Sequence, residues 1–317
     1  MDVLSDILET LSFKGSLYFT TEFSQPFGIA VPTYKNVMRF HLVLGGSCWI
    51  RLAGHKEGLQ LQAGDMFIIP RGSAHDLADG PSSDVIPLEK ILDDGHLQDG
   101  NYLVYGGDSK ADPWNDRGEN PTRLVCGQFA FNENFNHPLI DELPDYILIS
   151  GEKANAFSWF DNAMKFMSFE SQQGEMGNDA IIKRLSEILF IQAVRVWNGG
   201  SARENSFVKA VACVNIGRSL QALHSEINRR WTVETLAKEA GLSRSAFSSN
   251  FTKMMGTPPL KYLTMWRIQK ARHMLLESDL SIDRIAENIG YQSATAFSKA
   301  FKNDVGIGPG KFRKNNK

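Results

Sequence analysis

Two hydrophobic patterns divide the chain. Up to about residue 130, short runs of alternating apolar and polar residues are separated by glycine-containing turns, as in "MRFHLVLGG", "SCWIRLAG" and "TRLVCGQFAF". Alternation with a period of two is typical of half-buried β-strands. Beyond residue 180, apolar residues recur every three or four positions, the period of an amphipathic helix. The pattern predicts an α+β multidomain protein with an N-terminal antiparallel β-barrel or sandwich and an all-α C-terminal domain.

A strongly apolar helix is predicted between these parts. The stretch "AIIKRLSEILFIQAVRVWN", residues 180–198, carries apolar side chains around much of its circumference, so it must be covered on more than one side. It could pack on the β-rich domain or pair with a second subunit. The polar stretch "NGGSARENS", residues 198–206, then predicts a hinge. The expected domain boundaries are 1–150 for the β-rich domain, 151–200 for the helical segment and 207–317 for the helical domain.

The helical domain contains one pattern twice, at an offset of 49 or 50 residues. "TVETLAKEAG" matches "SIDRIAENIG", and the pair Phe247 and Phe251 matches Phe297 and Phe301. Each copy has a hydroxyl residue suited to cap a helix, a glycine suited to a tight turn, and a second helix whose phenylalanines at i and i+4 face inward. The repeat therefore predicts two helix-turn-helix units.

A long connector separates the two units. It runs from about Pro259 to Glu277 with apolar residues at helical spacing, and a helix of that length spans about 27 Å. That length approaches the roughly 34 Å between successive major grooves on one face of DNA. We expect two reading heads that enter adjacent grooves.

Charge supports a polyanionic partner for the helical domain alone. Residues 1–217 contain 17 Lys+Arg and 28 Asp+Glu, for a net charge of −11, whereas residues 218–317 contain 17 and 8, for +9. A basic segment attached to an acidic body suggests that only the second part meets a polyanion, and a basic surface that is merely solvated is the alternative that charge leaves open.

Residues 207–317 resemble the DNA-binding domain of the AraC family of bacterial transcription regulators. The resemblance rests on "WTVETLAKEAGLSRSAFSSNF", "YLTMWRIQKARHML", "IAENIGYQSATAFSKAFK" and "GIGPGKFR". The ending departs from the family pattern at Phe312, where Tyr is usual, and at Gly308, where Ser or Thr is common. The resemblance implies a regulator, more often an activator, that binds double-stranded promoter DNA, acts with RNA polymerase and dimerises through residues 151–200.

Family geometry also implies which side chains meet DNA. The second helix of each unit would lie in the major groove, and mostly small side chains would face the bases. Nearby basic side chains are candidates for phosphate contacts. Besides Arg267 and Lys302 they include Lys253, Lys270, Lys311 and Arg313. The DNA-binding candidates are Arg244, Ser245, Ser248, Ser249, Thr295, Ser298, Lys299, Arg267 and Lys302.

The β-rich domain resembles the cupin barrel. In "GDMFIIPRGSAH", the residues Gly64, Pro70, Gly72 and His75 follow the spacing of the second cupin motif, and "MRFHLVLGGSCWIRL" lies where the first belongs. Metal-binding cupins usually offer three His and one Glu. This chain keeps His41 and His75, but Val43 takes the second histidine position and the glutamate position falls near Ser47 or Cys48. We expect no metal, no cofactor and no enzymatic activity.

Two kinds of signal are compatible with such a domain. A small-molecule effector would bind in the interior, lined by His41, Trp49, Arg51 and His75. An oxidant would act on Cys48 or Cys126, one of which would have to be partly exposed or have a lowered pKa. The interior is the default ligand site, so the first alternative is favoured.

Two rival functions remain open from the sequence: a cupin-type metalloenzyme fused to a DNA-binding domain, and a signal-independent DNA-binding protein. The acidic N-terminus lacks the basic residues of a secretory signal, and three scattered cysteines fit a reducing compartment. We expect a cytoplasmic protein.

Overall fold

The computed structural model describes residues 2–11, 14–98, 101–107, 121–130, 137–151, 158–173, 175–197 and 207–316. The predicted hinge, 198–206, lies outside these ranges. The chain packs into two compact units. The β-rich unit comprises residues 14–131 and 143–197, and the helical unit comprises residues 1–13, 132–142 and 198–317. The helical unit thus takes in two segments that the expected range 207–317 does not contain.

Twelve strands of the described chain form two sheets in the β-rich unit. The seven-stranded sheet has the order β12-β6-β3-β11-β1-β10-β9 and the five-stranded sheet the order β5-β4-β7-β2-β8. Their bounds are β1 Lys14–Ser24, β2 Gly28–Val31, β3 Val37–Gly45, β4 Ser47–Leu52, β5 Leu59–Gln62, β6 Met66–Ile69, β7 His75–Ala78, β8 Ile86–Pro87, β9 Leu97–Gln98, β10 Tyr102–Gly106, β11 Thr122–Ala130 and β12 Ile147–Ile149. The strand segments predicted from alternation are all present.

Of the antiparallel barrel and the sandwich that the pattern allows, a closed barrel is not found among the described strands. Each sheet has two edge strands, and no hydrogen-bonded pair of described strands joins one sheet to the other. Two pairs, β1 with β10 and β2 with β8, are parallel. The sheets share one apolar core, to which Val43 and Leu124 contribute from one sheet and Ile50 and Leu77 from the other. Alternation predicts the strands up to β7 and β11 but not β8, β9, β10 or β12, and closure depends on pairing between distant strands, which alternation does not encode.

Three helices of the described chain complete the β-rich unit: α2 Leu88–Asp93, α4 Ser158–Gln173 and α5 Asn178–Trp197. Helix α5 is the predicted apolar helix. Its Phe190 ring packs 5.0 Å from the Phe129 ring of β11, and its Glu187 accepts a 2.9 Å hydrogen bond from the backbone N–H of Gly15. One face of α5 therefore covers the seven-stranded sheet.

The helical unit contains ten described helices. They are α1 Val3–Thr10, α3 Pro138–Glu142, α6 Phe207–Ala212, α7 Val214–Ser225, α8 Val233–Ala240, α9 Arg244–Met255, α10 Pro259–Glu277, α11 Ile282–Asn288, α12 Ala294–Val305 and α13 Pro309–Asn316. Helices α8 with α9, and α11 with α12, are the two predicted helix-turn-helix units. The connector is α10. In the described part of the chain, no helix is long and apolar enough to cross a membrane.

Local capping explains where the repeated helices begin. The side chains of Thr232, Ser243, Ser281 and Ser293 each accept a hydrogen bond from the backbone N–H three residues later. The first unit turns at Gly241, whose φ of 66° is left-handed and favours glycine. The sequence therefore specifies both ends of these short helices.

Candidate nucleic-acid interface and signal site

Helix α9 has one buried face and one exposed face. Phe247 and Phe251 are fully buried, with ring centroids 5.5 Å apart. On the other side, Arg244, Ser245 and Ser249 are exposed and Ser248 is half-buried. The Nε of Arg244 lies 2.9 Å from Glu234 of α8, in an exposed ion pair. The helix presents a small, polar surface near its N-terminus.

Helix α12 repeats this arrangement. Phe297 and Phe301 are fully buried, 5.6 Å apart, in the core of the second unit. Thr295 and Lys299 are exposed, and Ser298 is half-buried. All seven predicted base-facing residues of α9 and α12 therefore lie on the accessible sides of their helices. Their contact with DNA remains a prediction.

The cations chosen for phosphate contact fall into two groups. Lys302, Lys253 and Lys311 are exposed and can reach a phosphate. Arg267 instead donates to the backbone carbonyls of Ile227 and Arg229, at 2.8 to 3.0 Å, and so ties α10 to the end of α7.

Two further cations are held within the unit. Arg313 donates to the backbone carbonyls of Leu275 and Leu280, and Lys270 pairs with Asp6. For Arg267, Lys270 and Arg313 the structure shows a role in packing, because backbone carbonyls and the buried Asp6 carboxylate already accept from them. Helical spacing alone could not distinguish these residues from free surface cations.

The interior of the β-rich unit holds a hydrogen-bonded row of His41, His75 and Cys126. The His75 Nδ1 lies 2.9 Å from the Ser73 carbonyl, which can only accept, so that nitrogen carries the proton. The His75 Nε2 must then accept from the His41 Nε2, 2.8 Å away. This leaves the His41 Nδ1 to accept from the Cys126 thiol, 3.1 Å away. The row is satisfied with both imidazoles and the thiol uncharged.

Burial keeps these groups uncharged. It lowers the pKa of His75 to about 4 and holds the pKa of His41 well below its usual range. It also raises the pKa of Cys48 to about 12 and that of Cys126 further still. Both thiols are buried. Neither cysteine is exposed or has a lowered pKa, so the requirement set for the oxidant alternative is not met.

The four residues expected to line one effector pocket are separated. On β4, Cys48, Ile50 and Leu52 are buried, whereas Trp49 and Arg51 lie on the opposite face. Arg51 forms a 2.7 Å ion pair with Asp76, which also faces away from the core. His41 and His75 are inside. Because side chains alternate along a strand, Trp49 and Arg51 lie outside and cannot share a pocket with the two histidines.

A cleft of about 330 Å³ lies at another part of the same sheet. It is lined by Ile50, Leu52, Leu59 and Tyr146 together with the polar residues His55, Lys56 and Glu57. A second cleft shares His55 and Tyr146 and continues along β12. The sequence did not mark this site, because Tyr146 and β4 are about 90 residues apart and meet only in the fold.

No group of three His, Cys, Asp or Glu side chains in the described part of the chain is arranged to hold a metal ion. Val43, at the second histidine position of the cupin motif, is fully buried in the core. It packs where a metal-binding cupin offers an imidazole.

Comparison with known proteins agrees with this geometry. Residues 2–199 match the family described as cupin, and residues 236–315 match the helix-turn-helix domain family. The HTH-type transcriptional regulator AlkR of Acinetobacter baylyi is 29% identical, and the alignment covers 99% of each chain. A putative AraC-like transcription regulator of Streptomyces lividans is 27% identical over 99% of this chain and 98% of its own. The RCS-specific HTH-type transcriptional activator RclR of Escherichia coli is 30% identical over 61% of this chain and 68% of its own.

The two matched domains and the full-length similarity define the family. The chain belongs to the AraC family of DNA-binding transcription regulators and carries a cupin-like N-terminal domain.

Proposed function

We propose that this regulator binds promoter DNA sequence-specifically with α9 and α12 in adjacent major grooves, and activates transcription together with RNA polymerase in response to a small molecule. The observation that carries the two-headed binding is the matched construction of the two units. Each has an exposed polar N-terminal turn over a buried phenylalanine pair, and a 19-residue helix joins them. The small side chains on these turns favour modest readout of each base, assisted by DNA shape and water.

Base readout is tested by two substitutions and one control. Ser249→Ala and Lys299→Ala should reduce discrimination between a selected duplex and a scrambled one, at a cost of about 1 to 3 kcal/mol per lost base contact. Glu277→Gln is the control, because Glu277 is exposed at the far end of α10. Fluorescence anisotropy gives both affinities, and circular dichroism checks the fold. Equal discrimination in all three variants would contradict this placement of the recognition residues.

We further propose that the protein acts as a homodimer through the hairpin of α4 and α5. Phe166 and Phe169, three residues apart on α4, are 46% and 57% exposed, and Ile188 on α5 is 49% exposed. Large apolar side chains clustered on the surface are typical of a protein interface. The opposite face of α5 already covers the seven-stranded sheet. Since the sequence predicts that α5 is covered on more than one side, the face that carries Ile188 is available to a second copy of the chain.

Sedimentation velocity tests the dimer. Phe169→Ser and Ile188→Ser should each shift the full chain from dimer to monomer at micromolar concentration. Arg195→Ser, which changes an exposed polar position of α5, should leave the dimer intact. A wild-type chain that sediments as a monomer would contradict the proposal.

The effector site is proposed in the cleft at Tyr146. A lining that combines the apolar side chains of Ile50, Leu52 and Leu59 with the polar groups of His55, Lys56 and Glu57 suits a small molecule with an apolar part and a polar or charged end. The full chain is heated with a panel of short alkyl and aromatic alcohols, amines and carboxylates. Compounds that raise the melting temperature should lose this effect in Leu59→Trp, which fills the cleft. If such compounds instead lose their effect only in His75→Ala, the site lies in the interior.

An oxidant signal is the second candidate, because the Cys126 thiol donates to His41, which could take its proton. The raised pKa values argue against it: at pH 8 a thiol with a pKa of about 12 is thiolate in only about one molecule in 10⁴. In the native chain, Ellman's reagent should react quickly with Cys213, which is half-buried, and slowly with Cys48 and Cys126. Rapid reaction of either buried thiol would favour the oxidant.

We propose that the β-rich unit has no enzymatic activity and that the protein works in the cytoplasm. The replacement of a cupin ligand position by buried Val43, and relatives whose names describe regulators, support the first statement. The proposed binding to promoter DNA supports the statement that the protein works in the cytoplasm.

A further inference from the structure

A buried carboxylate from the beginning of the chain lies in the centre of the helical unit. Asp6 of α1 is 2% exposed. Its Oδ2 accepts hydrogen bonds from the His224 Nδ1 at 2.7 Å and the Trp266 Nε1 at 3.0 Å, and its Oδ1 pairs with the ammonium of Lys270. Two of these three partners, Trp266 and Lys270, belong to the connector α10.

The network continues to the α3 segment. Because Asp6 can only accept, the His224 Nδ1 carries a proton and its Nε2 accepts from the Tyr262 hydroxyl at 2.8 Å. The Tyr262 oxygen then accepts from the His137 Nε2 at 3.1 Å, and the His137 Nδ1 accepts from the Leu139 N–H. Both imidazoles are neutral, in agreement with the lowering of their pKa by burial. Every donor in the network therefore has an acceptor. These hydrogen bonds link α1, the α3 segment, α7 and α10 to one another.

The connector helix α10, which this network holds in place, contributes side chains to the cores of both reading heads. Tyr262 is fully buried and its ring lies 5.9 Å from Phe251, in the core of the first head. About two to four turns further along, Ile268, Ala271 and Leu275 belong to the core of the second head. Of the two partners of Asp6 on this helix, Trp266 lies between these groups, and Lys270 lies beside Ile268 and Ala271 of the second. A tilt or shift of α10 at this point would change how the two recognition helices are placed relative to each other.

We propose that Asp6 is a positioning residue for DNA binding, and that the docked N-terminal helix braces α10 so that both heads fit one duplex. The inference rests on the proposed two-headed binding. Removal of the Asp6 carboxylate would leave the buried His224 and Trp266 donors without their acceptor and the partly buried Lys270 ammonium without its counter-ion, a costly arrangement that favours a shift of α10. Docking of α1 and two-headed binding therefore stabilise each other.

This mutual stabilisation has a reciprocal consequence. If docking of α1 strengthens DNA binding, DNA binding must strengthen docking of α1 by the same factor. Residues 3–10 should then become more protected against hydrogen exchange when DNA binds, although they lie more than 230 positions before α9 in the sequence. DNA also slows exchange through global unfolding of the unit, so the gain is measured at amides of α1 that exchange by local opening, whose rates depend little on low concentrations of urea.

The test uses the full chain and a duplex selected by the wild-type protein from a randomised pool. A second duplex has the bases under one head scrambled. Asp6→Asn keeps the shape of the side chain and removes its charge, and Glu9→Gln removes a charge from an exposed position of the same helix as the control. The double variant Asp6→Asn with Lys270→Met removes both partners of the ion pair. Circular dichroism shows whether each variant is folded.

Asp6→Asn should bind the intact duplex about tenfold more weakly and the scrambled duplex less than twofold more weakly, whereas Glu9→Gln should change neither. The double variant should recover most of the loss, and wild-type residues 3–10 should gain protection on binding. Equal losses on both duplexes, no loss on either, or unchanged protection of residues 3–10 would overturn the inference while leaving DNA binding intact. If the wild-type chain selects no duplex, the proposed function itself fails.

Discussion

At the scale of single residues, His75 makes the stability of the β-rich unit depend on pH. Burial lowers its pKa to about 4, whereas an unfolded histidine has a pKa of about 6.5. Between these values the unfolded chain binds a proton at residue 75 that the folded chain excludes, so stability falls as the pH falls through this window, by about 3 kcal/mol in total. Urea denaturation at pH 7 and pH 4.5 should show a larger loss for the wild type than for His75→Gln. Equal losses would show that His75 is not the titrating group.

Gly72 of the cupin motif is a position where only glycine fits. Its φ is +58°, and a Cβ there would lie 2.3 Å from the backbone oxygen of Tyr34 and 2.9 Å from that of Val37. Gly54 is the matched control, since its φ is +86° with open space around it. Gly54→Ala should cost about 1 to 2 kcal/mol of conformational strain, and Gly72→Ala should cost clearly more because backbone atoms cannot move aside. Similar costs from thermal denaturation would contradict the clash.

At the scale of elements, each reading head depends on its phenylalanine pair. Phe251 is fully buried against Phe247 and Tyr262, so Phe251→Ala should cost about 3 to 5 kcal/mol by opening a cavity. Leu260→Ala, at a 40% exposed position of α10, should cost much less. Denaturant titration followed by the helical signal measures both. A small loss in Phe251→Ala would mean that the first head is not built around this pair.

The sequence predicts the helices and strands better than it predicts the contacts of single side chains. The caps at Thr232 and Ser281, the turn at Gly241 and the span of α10 depend on neighbouring residues, so they can be read from local pattern. Residues whose surroundings come from distant segments could not be placed in this way. The sequence predicts a phosphate contact for Arg267, which instead donates to the carbonyls of Ile227 and Arg229 just after α7. It predicts a shared pocket for Trp49 and Arg51, which face outward. For Asp6 a signal existed, since helical spacing sets it on the buried face with Val3, Ile7 and Thr10.

At the scale of the whole molecule, the helical unit is assembled from three parts of the chain. The sequence predicts that residues 206–317 fold by themselves and bind promoter DNA. The structure adds α1 and α3 to that unit, and without them Lys270 and His224 lack the Asp6 carboxylate. A fragment of residues 207–317 should therefore gain thermal stability when a peptide of residues 2–11 is added, and should gain less from the Asp6→Asn peptide. No difference between the peptides would show that the carboxylate is dispensable there.

The central claim is that two basic reading heads bind one promoter duplex. It is tested most directly by the affinity of the full chain for a selected duplex, measured by gel shift at several salt concentrations. Because lysines and arginines displace counterions from the phosphates, log K should fall linearly with log salt, with a slope of about −0.9 for each phosphate contact. At each salt concentration the selected duplex should bind at least about 10³ times more tightly than a scrambled one. Absence of binding, binding that salt does not weaken, or equal affinity for both duplexes would contradict the account.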